Sequence, residues 1–184
     1  MAGQSSVAVA RTGNNPFLKA VAALSTLAGW ISAAMIVAAV ILTCQMIFVR
    51  FVLNGSTVWQ TEAVIYLAVG ATLIGLPYVQ YLRGHVNVDL IPLMMPKGLR
   101  RVAAMFTLSI SIAIIGVMLF YGFEYWHFAW ERGWRSDTVW GPKLWVPYLV
   151  LPVGFGLLML QLIADLVAVV LRIDTPFSLP EEDA

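Results

Sequence analysis

The chain has 184 residues, of which 60% are apolar and only 11% charged, with a formal net charge of +1 and a mean hydropathy of +0.84. Soluble domains run nearer ~45–50% apolar and ~25% charged, so these values exclude an ordinary water-soluble domain and give no reason to expect a nucleic-acid partner. The single cysteine, Cys44, excludes an internal disulfide and CxxC redox chemistry.

Residues 1–19 are small and polar, with Arg11 and Lys19 ahead of a long apolar run. That run, 20–49, extends far beyond the ~7–15 residues of a cleavable signal core and predicts a retained first transmembrane helix. Asn54-Gly55 marks a turn, and Thr57 with Gln60 has the spacing of a capping box for a second helix over 58–82. Pro92, Pro96 and Gly98 separate it from a third over 102–126, and Gly141-Pro142 precedes a fourth over 144–171. Each run has the roughly 20 residues needed to cross a bilayer, with excess that implies tilt or projection. None shows the ten-residue alternation of an outer-membrane barrel strand. Pro77, Pro147 and Pro152 predict kinks. The expected fold is an all-α integral membrane protein, with four transmembrane helices over 20–172 between an N-terminal tail, 1–19, and an acidic C-terminal tail, 173–184.

Lysine and arginine counts orient it. Arg11, Lys19, Arg83, Lys97, Arg100, Arg101 and Arg172 fall on the side of the termini and middle loop, against Arg50, Arg132, Arg135 and Lys143 opposite. The excess predicts both termini in the cytoplasm. Trp59, Trp126, Trp130, Trp134, Trp140 and Trp145 cluster at the other, outer interface. Small residues recur at four-residue spacing (Ser25, Gly29, Ala33; Ala71, Gly75), as in rows that let helix backbones approach in lipid.

Candidate chemistry is sparse. His85 and His127 sit on opposite sides of the membrane, which rules them out as joint ligands of a haem. His85 and Asp89 are four apart, but two ligands fall short of a metal site. Glu62, one turn into helix two, has three readings: a proton or cation relay, a carboxylate at the positive end of the helix dipole, or a polar contact to another subunit. Gln161 and Asp165 are also four apart, and Asp165 is expected to be structural, reaching the interface or pairing with Arg172 or another base. The outer loop mixes Glu131, Arg132, Arg135 and Asp137 with tryptophans, a composition shared by protein interfaces and by aromatic belts. No nucleophile–base pair, phosphate loop or paired catalytic carboxylates stand out, so the residues point to a non-catalytic membrane subunit that binds no cofactor.

The stretch WQTEAVIYLAVGATLIGLPYVQYLRGHVNVDLI resembles the signature of the small membrane subunit, DctQ type, of tripartite ATP-independent periplasmic (TRAP) transporters. Trp59, Glu62, Gly75, Arg83, Gly84, His85, Val88 and Asp89 carry the likeness. VPYLVLPVGFGLLMLQLIADL, with Pro152, Gly154 and Gln161, resembles the last helix of that family, and Pro77-Tyr78 departs from it. The resemblance implies a bacterial inner-membrane scaffold that packs against a large transport subunit. That large subunit would hold the sodium and substrate sites, and a periplasmic binding protein would deliver an organic acid. It makes Trp59, Glu62, Arg83, His85 and Asp89 candidates for large-subunit contact, and Glu131, Arg132, Arg135 and Asp137 candidates for binding-protein docking. From the residues alone, a self-contained proton-coupled homo-oligomeric transporter using Glu62 stays open.

Overall fold

The first helix, α1 (Pro16–Phe51), begins where Asn15 caps it: the Asn15 Oδ1 accepts from Phe17 N–H at 3.1 Å, and Pro16 fills the first helical position. Its 36 residues make it about 54 Å long at 1.5 Å per residue, well beyond the ~30 Å hydrocarbon layer. The helix starts four residues earlier than the apolar run, because capping by Asn15 carries it past Lys19. In this computed structural model the described residues are 15–82 and 96–171, without the side chains of 97 and 98. The expected tails lie largely, and Arg83, Gly84, His85, Val88 and Asp89 wholly, outside the described residues.

After α1 the chain reverses at Asn54, which takes the left-handed conformation (φ 48°) that asparagine tolerates, while Gly55 N–H returns to the Val49 carbonyl at 3.1 Å. Helix α2 (Val58–Tyr81) then begins with Thr57 at its N-cap. The capping box is not formed. Thr57 has φ −121° and ψ 26°, outside the extended conformation that aims a cap hydroxyl at the first turn, and it makes no side-chain cap bond. Gln60 is 2% exposed and turned into the protein, where its Oε1 has no partner among the described residues.

Helix α3 (Lys97–Glu131) runs 35 residues, longer at both ends than the 102–126 run. The fourth span is nearly continuous: α4 (Trp145–Tyr148) and α5 (Val150–Val170) are divided at Leu149, whose φ −56° and ψ −27° remain helical. Pro152 lacks the N–H that the Tyr148 carbonyl would receive, which accounts for the interruption. These four spans are long and apolar enough to cross a membrane. Outside the helices, the described residues hold one isolated β-bridge, between Arg135 and Lys143.

Packing is that of an open row. Helix α1 lies along α2 and also meets α5 near its own start, α2 lies on α5, and α5 carries α3 on its far side; α3 packs on α4 and α5 and barely touches α1 or α2. Consequently α2 and the fourth span are the inner members, while α1 and α3 leave most of their surface uncovered. The small-residue rows are seams at Ser25, Gly29, Ala71 and Gly75, whereas Ala33 is exposed. A Cβ built on Gly29 would come 2.5 Å from Tyr78 Cγ, and one on Gly75 would come 2.8 Å from Ser32 Oγ. Ser32 Oγ donates to the Ala71 carbonyl at 2.6 Å across the same seam. On the other face of α2, Pro77 gives no N–H to the Leu73 carbonyl, and Gly154 of α5 presses against that point. A Cβ on Gly154 would stand 2.9 Å from both Leu73 Cβ and Leu73 O. Only glycine lets the two backbones meet there.

Candidate functional site

Two polar constellations tie the chain together, one toward each end of the spans. At the end bearing the 132–144 connection, Glu62 is 9% exposed and lies just inside the start of α2. Tyr66 O–H, one turn on, donates to its Oε1 at 2.5 Å, and Thr138 O–H from the connection donates to its Oε2 at 2.6 Å. Ser136 O–H donates to Thr138 Oγ1 at 3.3 Å. The connection is itself a small hairpin. Ser136 N–H donates to the Pro142 carbonyl at 3.0 Å and Leu144 N–H to the Trp134 carbonyl at 2.9 Å, with Gly141 in the left-handed region (φ 55°) closing the turn. Glu62 thus latches the hairpin to α2, and Trp59 adds an edge-to-face contact with Trp140 at 6.2 Å.

An aromatic cluster surrounds this end. Trp130 meets Trp145 edge-on at 4.6 Å, Trp134 meets Phe128 at 4.9 Å, and Tyr125 lies 5.1 Å from Tyr148. These contacts bind the last turns of α3 to the hairpin and to α4. Ser56, Val58, Trp59, Val139 and Trp140 line an open cleft of about 250 Å³. Val139 at its rim is 97% exposed.

The charged candidates of this loop are all exposed. Glu131 stands 3.7 Å from the His127 ring nitrogen, Arg132 stacks over Phe128 at 3.9 Å, and Arg135 sits in the hairpin bridge opposite Lys143. Asp137 is next to the Thr138 latch. The structure therefore gathers Trp59, Glu62, Arg135 and Asp137 around one hairpin, with Glu131 and Arg132 where α3 enters it.

At the opposite end, Ser25 O–H of α1 donates to Gln161 Oε1 at 2.7 Å. Gln161 Nε2 donates to Asp165 Oδ1 at 2.8 Å, and Gln80 Nε2 of α2 donates to Asp165 Oδ2 at 2.8 Å. Three helices share one chain of hydrogen bonds, with Ser25 and Gln161 almost fully buried. Asp165, expected to be structural, receives two amide donors here. Below it Leu18, Val21, Ala164 and Ala168 form an apolar cluster between α1 and α5. Such carboxylate–amide bonds hold helices in lipid and lack the convergent oxygens of an ion site. Among the described residues no group of three or more His, Cys, Asp or Glu is placed to hold a metal.

Tyr66, Thr138 and Gln80 were not singled out by the sequence. Tyr66 had a local signal, since it lies four residues from Glu62 on one helix face. Thr138 and Gln80 had none, because their partners are far away in the chain.

Four apolar spans, held by small-residue seams and buried polar bonds, define a multi-pass membrane component. Residues 39–172 match the family described as tripartite ATP-independent periplasmic transporters, DctQ component. This chain belongs to that family, a transporter component family and not an enzyme family. It is 25% identical over 139 residues to the C4-dicarboxylate TRAP transporter small permease protein DctQ of Vibrio cholerae serotype O1, an alignment covering 64% of this chain and 60% of that protein.

Proposed function

We propose that this chain is the small scaffold subunit of a sodium-coupled TRAP transporter in a bacterial inner membrane, oriented with both termini in the cytoplasm. It packs against a large transport subunit that holds sodium and substrate, and it presents the 132–144 hairpin to a periplasmic binding protein. The substrate is an organic acid; C4-dicarboxylate, named for the Vibrio cholerae relative, is the first class to test. The observation that carries the reading is where the polar groups are spent. Glu62 and Asp165, the acids nearest the interior, both receive donors from other helices or loops of this chain. They brace the fold, as a fixed frame for a moving partner requires. A self-contained proton carrier would need Glu62 on a path through the membrane; instead it fastens a loop at one end of α2.

Co-purification tests this. The tagged chain, expressed with its native neighbours and extracted in mild detergent, is expected as a one-to-one complex with a large multi-helix protein. Recovery as a homo-oligomer that transports after reconstitution would overturn the scaffold reading and return Glu62 to consideration as a coupling group. For the docking surface, the paired reversal Arg132→Glu and Arg135→Glu is expected to slow association with the binding protein and change its salt dependence. Uptake unchanged across a range of salt would count against that part.

A further inference from the structure

Exposed hydroxyls on the spanning helices mostly satisfy themselves: Thr72 and Thr107 donate to the carbonyl four residues back on their own helix, as does Ser109. Two exposed polar side chains of α1 do not. Trp30 is 73% exposed and Gln45 is exposed, and neither hydrogen-bonds to a described residue. Trp30 stands apart from the six tryptophans at the hairpin end. It is about 16 Å along the helix from Lys19 and about 30 Å from Arg50, deep in the apolar run. Gln45 has one more apolar turn, Met46 to Val49, between it and Arg50.

Both lie on one stripe. Spacings of three and four residues align Trp30, Ala34, Val37, Ile41, Gln45 and Phe48. This face is opposite the Ser25, Gly29 and Ser32 side, which α2 and α5 cover. An amide or indole N–H left in hydrocarbon costs free energy, and polar residues on membrane helices turn toward protein partners.

The geometry points to this outward face of α1 as the seam for a transmembrane helix of a different polypeptide, one that supplies hydrogen-bond acceptors at the depths of Trp30 and Gln45. A second copy leaves Trp30 unsatisfied. In a two-fold pair of parallel helices Gln45 can pair with its own mate, because an amide both donates and accepts, but Trp30 meets Trp30, and an indole only donates, while its neighbours Leu27, Ile31 and Ala34 offer no side-chain acceptor. On the functional reading above, the helix belongs to the large transport subunit. The exposed face of α3 offers a contrast: Glu124 lies among the tyrosines and tryptophans of the hairpin end, and the exposed hydroxyls beside Ile110, Thr107 and Ser109, already donate within their own helix.

The test uses the full chain co-expressed with its large membrane neighbour, with a benzophenone amino acid in place of Ala34 or, separately, of Ile110. Irradiation in membranes is expected to give an adduct with the large subunit from position 34 and none from 110. In parallel, Gln45→Leu separates lipid from protein by sign. At a lipid-facing site it is harmless to the complex, whereas at the seam it loses an interhelical bond and is expected to lower retention of the large subunit about threefold or more. An adduct of two copies of this chain would overturn the inference, as would adducts with lipid alone, or from 110 and not 34, or undiminished retention in Gln45→Leu. If the unmodified chain fails to co-purify with the large subunit, the functional reading itself fails. If it co-purifies and position 34 stays silent, only the seam is wrong.

Discussion

Replacing Gly154 with alanine sets two effects of known size against each other. Alanine is the better helix former by about 0.8–1 kcal/mol, so an unobstructed Gly→Ala change in α5 would stabilise the protein. At Gly154 the added carbon would lie 2.9 Å from Leu73 Cβ, 2.9 Å from Leu73 O and 3.0 Å from Leu73 C. Unstrained carbon contacts fall at ~3.5–4.0 Å, so α2 and α5 must separate by roughly half an ångström or more. Two of the three obstructing atoms are backbone, and no rotamer change moves them aside. Overpacking of this kind costs about 1–3 kcal/mol, which cancels the propensity gain at its lower end and leaves a net loss of up to about 2 kcal/mol. Gly116→Ala is the control: its Cβ would meet only the flexible end of Met159, at 3.6 Å, an ordinary contact. Reversible unfolding in bicelles or mixed micelles should therefore show Gly154→Ala destabilised, and Gly116→Ala unchanged or stabilised by up to about 1 kcal/mol. If Gly154→Ala proves as stable as Gly116→Ala, the close approach of α2 and α5 is refuted.

Gln161→Leu removes both the acceptor of Ser25 and one donor of Asp165 while Gln80 stays bonded, and should cost about 1–3 kcal/mol in the same unfolding measurement. A variant as stable as the parent would mean that the three-helix network contributes nothing. Glu62→Gln and Thr138→Val each weaken the hairpin latch, so amide exchange at Ser136 and Leu144 should quicken in both, and the double variant should go no further than the more severe single one. Additive effects, or unchanged exchange, would show that the loop is held by its aromatic contacts alone.

Much of the fold is legible because the bilayer imposes a length and a composition. A helix in hydrocarbon must be long and apolar, and Pro92, Pro96, Asn54-Gly55 and Gly141-Pro142 stand between such runs for local reasons of backbone chemistry. The limits of each helix are less legible. Caps and interfacial turns carry α1 to Asn15 and α3 to Glu131, and their polar residues look like loop in a hydropathy reading. The Thr57–Gln60 spacing misled because a capping box is only a local opportunity. Burial of both side chains took precedence over it.

By itself the sequence determined the four spans and the small-residue rows, since each rests on composition or on spacing within one helix, and its motifs resembled those of the family. Only the tertiary structure decided that the spans form an open row with α5 inside, that Pro77 and Gly154 mark one contact, and that Glu62 binds Thr138 while Asp165 binds Gln80. Such pairings join residues 76 and 85 positions apart. No periodicity along the chain encodes them, because they depend on which helices become neighbours once all four are in the bilayer.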